Sequence, residues 1–410
     1  MLALLGNLGL SAALGTFRLA DAAGVAVDRA LVDDNALYAR FSNTFRADLN
    51  LRFASSELSA AYGLRLVPDV ATRVLAPFHN GELRYAYSAP RLVLSFVESV
   101  GVGDQVFLGT GRASPLVGLT PVQDPSVRVP NAPTLATPGA IDSTLLPGAR
   151  TLSTIASRTG VSLNYSWEHR LSSAFYVGYQ IYGGLGDEAQ RYLALQRAVD
   201  GGMSLAYATN ARLAWVSALV VTRGWNSDDQ RYMLLILSES LQYRWTRATS
   251  VEAGVGISSR LTDAPQQETV LTTTPVVSVG IGHTLTGHDV TGSLRFGASY
   301  VPLVDAVTGR IQNRLSALGS AGVMTGKVYA GIAAGLSQAI PTSDPGAVTS
   351  LTGSVYTGYQ IFTWLGASLS AQVGRQVFQT SNLPAMTIVP TGVTWGVYGG
   401  LYAVSPLMRF

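Results

Sequence analysis

Apolar and polar side chains alternate along most of the chain, and residues 231–260 show this pattern most clearly. From Met233 to Trp245 every second residue is apolar except Glu239, and the residues between them are polar from Ser238 onwards. A short polar turn follows, after which the alternation resumes. A period of two places successive side chains on opposite faces of a β-strand. Two such runs around a short turn predict an antiparallel hairpin.

The same alternation recurs from residue 43 to the C-terminal region and predicts seventeen strands. Most are longer than the ~5–6 residues usual in globular sheets. A tilted strand needs ~9–11 residues to cross a bilayer core, so strands of this length can span a membrane. A β-helix or a propeller would show a fixed repeat period, and the sequence shows none. The pattern therefore predicts an all-β protein, a single transmembrane antiparallel up-and-down barrel.

The predicted connections alternate in length, which indicates the orientation and the strand number. Short turns are expected near residues 55, 89, 170, 210, 247, 287, 325 and 364. Longer connections are expected at 68–80, 103–157, 184–190, 224–230, 262–268, 303–310, 340–347 and 379–390. Bacterial outer-membrane barrels have an even number of strands, with short periplasmic turns and longer external loops. An even number requires one more strand before residue 36, so we expect about 18 strands, with 16 as the alternative.

Composition agrees with a membrane barrel and excludes several other classes. Charged residues make up 13% of the 410 residues, about half of the ~25% typical of globular domains. No run of ~20 apolar residues suggests a membrane helix. The absence of cysteine excludes disulfide scaffolds and cysteine-based zinc sites. A net charge of +3 gives no reason to expect nucleic acid as a partner.

The first residues are open to two interpretations. Residues 2–14 are apolar, and Ala20–Ala22 resembles the small-residue cleavage site of a secretory signal, but the positively charged start of such a signal is missing. The segment 1–22 is therefore either a signal-like leader or an N-terminal segment retained as a helix or first strand. The barrel itself is expected over residues 23–410.

Two features resemble bacterial outer-membrane β-barrel proteins of the porin kind. Aromatic residues gather next to the predicted short turns, as in an interfacial girdle: Phe53, Tyr87, Tyr165, Trp167, Tyr207, Tyr243, Trp245, Phe362 and Trp364. The chain ends in Phe410, with Met408, Val404 and Tyr402 at alternate preceding positions, out of phase with Trp395 and Leu401. A bulge at Gly399–Gly400 would switch the phase. The resemblance implies delivery to the outer membrane, contact with its lipid and insertion by the barrel-assembly machinery.

The polar positions of the strands are expected to line the lumen. Many are small, for example Ser278 and Gly280, which leaves room for water as in barrels of 16–18 strands. The predicted charged lining consists of Arg46, Asp48, Arg52, Arg65, Arg84, Arg158, Arg212, Arg244, Glu252, Arg295, Arg314 and Lys327. With Glu82 included, ten cations oppose three anions, and rings of Arg and Lys favour anions. Either this lining selects anions, or the arginines pair with acidic loop residues or lie at the rims.

We therefore expect a porin-like channel for passive diffusion of small hydrophilic solutes, with a preference for anions. The alternatives are a non-transport barrel that anchors or forms part of a surface, motility or export assembly, and an outer-membrane lipid-modifying enzyme. The only histidines are His79, His169, His283 and His288, and no catalytic motif accompanies them, so no catalytic residue, metal site or cofactor is expected. Glu98 and Glu239 fall on the lipid-facing parity, which a bulge, protonation or a subunit contact in a homotrimer or larger envelope complex would accommodate.

The segment 103–157 carries seven prolines and exceeds the ~12–15 residues usual for structureless loops, which marks it as functional or disordered. By position it resembles the third loop of trimeric porins, which narrows the lumen. If it constricts the lumen, deletion of residues 110–150 will raise single-channel conductance in planar bilayers. Unchanged conductance would assign it instead to an external flap, a partner site or a disordered loop.

Overall fold

Eighteen long strands form one antiparallel sheet that closes on itself, with a two-residue strand extending the last of them. The computed structural model describes residues 14–29, 37–68, 75–107, 150–190, 193–226, 231–263, 270–304, 311–340, 348–378, 392–404 and 408–409. The strands are β1 Leu14–Arg29, β2 Leu37–Arg52, β3 Ser56–Pro68, β4 Leu75–Ala89, β5 Leu92–Phe107, β6 Arg150–Ser166, β7 Leu171–Gly184, β8 Gln196–Ala208, β9 Leu213–Asn226, β10 Arg231–Arg244, β11 Thr249–Asp263, β12 Val270–Thr286, β13 Val290–Val304, β14 Ile311–Thr325, β15 Val328–Ile340, β16 Val348–Gln360, β17 Leu365–Phe378, β18 Gly392–Val404 and β19 Met408–Arg409.

Each strand pairs with its neighbours along the chain, and β1 completes the circle. One edge of β1 pairs with β2 from Leu14 opposite Arg52, and its other edge pairs with β18 from Ala20 opposite Val404. The prediction of an 18-stranded closed barrel is confirmed, and β1 is the additional strand expected before residue 36. Because β1 begins at Leu14, the later part of the segment 1–22 lies in a strand. Residues 1–13 lie outside the described residues, so the cleavage of this segment stays a prediction.

Eight short turns lie at one end of the barrel, which we call the short-turn end, and each falls where the sequence places it. Their geometry follows from local hydrogen bonds. The Asn210 side-chain oxygen accepts from the backbone N–H groups of Arg212 and Leu213, at 2.8 and 2.9 Å. The Thr246 hydroxyl oxygen accepts in the same way from Ala248 and Thr249. Such side chains mimic a backbone turn and so reverse the chain in a few residues.

Most connections at the opposite end, the loop end, lie outside the described residues. Both ends of the predicted loop 103–157 are in strands, because β5 runs to Phe107 and β6 starts at Arg150. Residues 108–149 fall outside the described part, so a constriction of the lumen stays a prediction. The connection after β7 contains a single helical turn, α1 (Asp187–Gln190). Among the described residues, no helix combines the length and the apolar character needed to cross a membrane.

In the hairpin of β10 and β11, the side chains that the sequence predicts to face lipid are the exposed ones. Met233, Leu235 and Leu237 are 37–49% exposed, whereas Leu234 and Ile236 between them are only 6% and 4% exposed. Large apolar side chains are exposed on the same parity in nearly every described strand. This parity forms the outer surface, where apolar side chains of membrane barrels contact lipid.

The opposite parity forms the inner face, because its side chains meet across strands that are not neighbours. Val220 of β9, Leu234 and Ile236 of β10, and Val276 of β12 form one buried cluster, with Val301 of β13 packed against it. Side chains of β10 and β12 can touch over the intervening strand only on the concave side of a curved sheet. The cluster therefore fixes which face lines the lumen.

The prediction of a bulge at Gly399–Gly400 is wrong. These glycines lie opposite Val25 and Gly24 within a register that runs unbroken from Trp395 to Val404. The register shifts only afterwards: Val404 lies opposite Ala20, but Met408 lies opposite Phe17. Four steps on one side thus match three on the other, so the register changes by one residue between these two pairs and not at the glycines.

Gly103 of β5 offers a sharp test of the wall near the loop end. Its φ is +134°, and a Cβ there would lie 2.3 Å from the Pro77 carbonyl oxygen of β4. We expect Gly103→Ala to destabilise the barrel by ~1–3 kcal/mol, since backbone strain and overpacking add. Urea unfolding in lipid vesicles measures the change. Gly81→Ala in the adjacent strand is the control, since a Cβ there meets nothing within 4 Å. Equal stability of the two variants would contradict the close approach of β4 to Gly103.

Candidate functional site

The inner wall of the barrel is the candidate site, and most predicted lining residues lie on it. Arg46, Asp48, Arg52, Arg65, Arg84, Arg158, Arg244, Glu252, Arg295 and Arg314 occupy inner-face positions of their strands. Arg212 and Lys327 are not strand residues: they lie in short turns, at the rim of the barrel. Arg52 and Arg244 are the last residues of their strands and lie at the same rim. The role of this set in selecting solutes stays a prediction.

Several inner-face arginines between β2 and β4 are paired with carboxylates of the same wall. Arg46 Nε lies 2.8 Å from Asp48 Oδ1, and Arg52 Nε lies 3.6 Å from Glu57 Oε1. Arg84 and Glu82 form a third pair within β4. The partners are strand residues two to five positions away, not the acidic loop residues that the sequence suggested. Pairing at this range largely cancels the positive potential that this part of the wall would offer to an anion.

Other inner-face arginines are engaged in different ways. Arg65 lies over the ring of Phe78, with its guanidinium carbon 5.3 Å from the ring centroid, a cation–π contact. Arg158 interacts electrostatically with Asp200 of β8. Arg260, which the sequence did not single out, donates to the backbone oxygen of Ile311 at 2.8 Å. Arg295 differs from these, since it is exposed and makes no ion pair with any residue that the structure describes.

Tyrosines packed against glycines are a second feature of the inner wall. Each ring lies over a glycine of an adjacent strand, at a distance where a Cβ would be only 2.1–2.5 Å from the nearest ring atom. The pairs are Tyr176 on Gly202, Tyr232 on Gly224, Tyr329 on Gly358, Tyr356 on Gly331 and Tyr402 on Gly366. Because glycine has no side chain, the ring lies flat against the neighbouring backbone. These pairs were not predicted from the sequence, although Tyr356 and Gly358 at alternate positions of one strand were a signal for them.

Three of these tyrosines form a cluster near the short-turn end, which we call the tyrosine cluster: Tyr329, Tyr356 and Tyr402. The rings of Tyr329 and Tyr356 are 6.5 Å apart, centroid to centroid, and tilted by 42°. Tyr402 and Tyr356 both interact electrostatically with the Tyr329 hydroxyl group, and the oxygen of that hydroxyl is buried. Nearby, Gln372 Nε2 donates to the Tyr398 hydroxyl at 2.9 Å.

The apolar cluster on the inner face near the loop end was also missed. The sequence reasoning placed large apolar residues on the lipid side and small polar residues inside. In β9 and β10, however, the inner positions Val216, Val220, Leu234 and Ile236 are apolar and buried. The sequence signal for this cluster is a run in which successive residues are all apolar, since such a strand is covered on both of its faces. Tyr176 packs against the cluster as well, so this part of the wall is a packed surface.

The connection after β7 also folds over the inner side. Ala189 of α1 and the nearby Leu193 are buried against Leu152 of β6, with Tyr182 of β7 packed on them. Leu152 and Tyr182 are inner-face positions of their strands. A backbone hydrogen bond from Leu193 to Ala189 holds the segment in place. The short helix therefore narrows the lumen beside β6 and β7.

Glu239 lies on the outer face, as the sequence indicates, and it has partners there. Trp215 Nε1 donates to Glu239 Oε2 at 2.5 Å, and the Ser217 hydroxyl donates to the same oxygen at 2.7 Å. Two donors from the neighbouring strand satisfy the carboxylate, so the assigned register needs no bulge at this position. Glu98 is also an outer-face position, opposite Leu83.

The histidines give no support for a catalytic or metal site. His79, expected in a loop, lies within β4 on the outer face, where its Nδ1 is 2.7 Å from the Tyr62 hydroxyl. His283 Nδ1 lies 2.8 Å from the Thr249 hydroxyl. Among the described residues, no three His, Cys, Asp or Glu side chains are grouped so that they could hold a metal ion.

A closed antiparallel barrel of 18 strands with an apolar outer face is the fold of bacterial outer-membrane β-barrel proteins. Residues 77–385, well over half of the chain, match the EpsX exopolysaccharide export family, and the chain belongs to this family.

Solved structures of outer-membrane proteins resemble this chain at low sequence identity. The FrpB iron transporter from Neisseria meningitidis (F3-3 variant) has a TM-score of 0.51 at 10% identity, over 95% of this chain and 67% of that chain. OccAB4 of Acinetobacter baumannii has a TM-score of 0.48 at 10% identity, over 97% of this chain and 98% of that chain. No curated protein matches the sequence. At these identities the likeness concerns the fold alone.

Proposed function

We propose that this protein is an outer-membrane channel through which an exopolysaccharide leaves the cell. Membership of the EpsX exopolysaccharide export family over residues 77–385 is the observation that carries the proposal. The closed 18-stranded barrel supports it, because barrels of 16–18 strands are wide enough to hold an aqueous lumen. This function combines the channel and the export assembly that the sequence presented as alternatives.

The composition of the inner wall suits a hydrated polymer. From β12 to β17 most inner positions carry small residues, chiefly glycine, serine and threonine, including Ser278, Gly280, Ser299, Ser320, Ser354 and Ser370. Small side chains take up little of the lumen. Their hydroxyl and backbone groups exchange hydrogen bonds with water or with sugar hydroxyls at little net free energy, since such exchange is nearly balanced. A polymer therefore meets a wall that neither traps nor repels it along most of its length.

We propose three kinds of partner for this channel. They are outer-membrane lipid at the outer face, the barrel-assembly machinery during insertion, and a homotrimer or a larger envelope complex in the membrane. Export across a whole envelope requires that the channel meets other components at its periplasmic end, which favours the envelope complex over an isolated barrel.

The absence of cysteine makes the channel directly testable by a matched pair of substitutions. Ser320 lies on the inner face opposite Arg295, and the adjacent Ala321 lies on the outer face opposite Leu294. With Ser320→Cys, a bulky water-soluble methanethiosulfonate reagent should cause a stepwise drop of single-channel conductance and reduce polymer release from the producing bacterium. Ala321→Cys should show neither effect. Polymer release that persists when the gene is deleted would refute the export function.

Selective diffusion of small anions is the second candidate, and Arg295 is the observation that favours it. Its exposed guanidinium group on the inner face would attract anions. We expect a reversal potential that indicates anion preference in a salt gradient across a planar bilayer. Arg295→Ser should reduce the preference, whereas Arg375→Ser should not, since Arg375 lies on the outer face opposite Leu351. Cation preference of the unmodified channel would exclude this candidate.

A further inference from the structure

We propose that the tyrosine cluster, Tyr329, Tyr356 and Tyr402, is a carbohydrate-binding platform on which pyranose rings of the polymer stack as they enter the lumen. This inference rests on the proposed export function and assigns it a ligand site. Four observations carry it: the position of the cluster, the orientation of its rings, their polar surroundings, and the contrast with the other tyrosine–glycine pairs.

The cluster lies near the entrance used by an outgoing polymer. Tyr329 is the second residue of β15 after a short turn, and Tyr356 comes four residues before the end of β16. Tyr402 is two residues before the end of β18. All three are therefore near the short-turn end, which is periplasmic in outer-membrane barrels. A polymer leaving the periplasm meets this part of the wall first.

The rings lie in an orientation that suits stacking. Gly358, Gly331 and Gly366 each receive one face of a ring, with the nearest ring atom 2.1–2.3 Å from where a Cβ would be. Any other residue at these positions would push the ring away from the wall. With one face against the backbone, the other face is directed to the lumen, and all three tyrosines are partly exposed. The ring planes of Tyr329 and Tyr356 are tilted by 42° to each other.

The chemistry of the platform fits a sugar ring better than other solutes. A pyranose has C–H groups on its faces and hydroxyl groups around its edge. An aromatic face provides an apolar surface for the former, while neighbouring polar side chains can form hydrogen bonds with the latter; the Tyr329 hydroxyl oxygen itself is buried. Ser354, Ser370 and Gln372 are inner-face neighbours of the cluster and supply further hydrogen-bonding groups. No charged residue is required, so the platform accepts neutral sugars.

The other tyrosine–glycine pairs serve packing. Tyr232 on Gly224 is only 7% exposed, and Tyr176 on Gly202 packs against the apolar cluster of β9 to β12. Tyr232 therefore offers almost no surface to a solute, and Tyr176, although partly exposed, has its ring packed against apolar side chains. The chain therefore contains tyrosine–glycine pairs that pack against protein as well as pairs that face the lumen. The packed pairs provide a control within the molecule.

Blockade of single-channel current by maltohexaose tests the platform. Added from the periplasmic side, this neutral hexasaccharide should interrupt the current in a concentration-dependent way. Polyethylene glycol of similar size should produce no resolved interruptions. The triple variant Tyr329→Ala, Tyr356→Ala, Tyr402→Ala should lose about tenfold or more in binding constant, since each ring contributes a separate stacking contact. The corresponding triple Phe variant, which keeps the rings, should stay within about threefold.

Tyr176→Ala is the matched control, and its binding constant should equal that of the unmodified protein. Heat-modifiable migration in gels shows which variants are folded, and the single variant Tyr402→Ala replaces the triple variant if the latter does not fold. Equal binding by the Ala variants and the unmodified protein, or an equal loss in Tyr176→Ala, would overturn the platform. That result leaves export itself intact, whereas continued polymer release after gene deletion refutes export without reference to maltohexaose.

Discussion

Closure of the backbone hydrogen-bond ladder between β1 and β18 is the constraint on which the rest of the structure depends. Within a bilayer an unpaired backbone N–H or C=O group costs several kcal/mol, so a sheet with a free edge is not stable there. In this protein β1 pairs over ten residues with β18 and over its full length with β2. Once the circle is closed, directly opposed residues share a face. The side of every described strand that meets the lumen is then determined.

The inner face combines two kinds of packing that closure makes available. Near the loop end, Leu234, Ile236 and Val276 bury one another and give the wall a solid surface. Near the short-turn end, tyrosine rings pack on glycines instead of on other side chains, as with Tyr356 on Gly331. The first arrangement fills space inside the barrel. The second keeps the wall thin while it still offers aromatic surface, so the lumen retains room where the rings are exposed.

Most of the fold follows from the sequence because period-two alternation is a local property. The outer parity, the eight short turns and the need for a strand before residue 36 all depend on neighbouring residues. The errors arose where the deciding interaction is distant. Leu234 and Ile236 were not assigned to the inner face because their partners are on other strands. The C-terminal register change was placed at Gly399–Gly400 because only the pairing with β1 shows that it occurs after Val404. The tyrosine–glycine contacts were missed for the same reason.

The distribution of charge bears on which solute the lumen suits. A filter for small anions requires cations whose field is not cancelled, but Arg46 and Arg84 are paired with Asp48 and Glu82 of the same wall. The exposed Arg295 lies in a wall that otherwise consists mainly of glycine and serine in that part of the barrel. An exposed cation such as Arg295 acts on a passing ion through water, where the interaction is ~1 kcal/mol even at 4 Å. In the proposed stacking on the tyrosine cluster, contact with a sugar face excludes water and is not weakened in this way. For this reason we propose that the inner wall discriminates solutes by their surface more than by their charge, and that a polysaccharide suits it better than small anions.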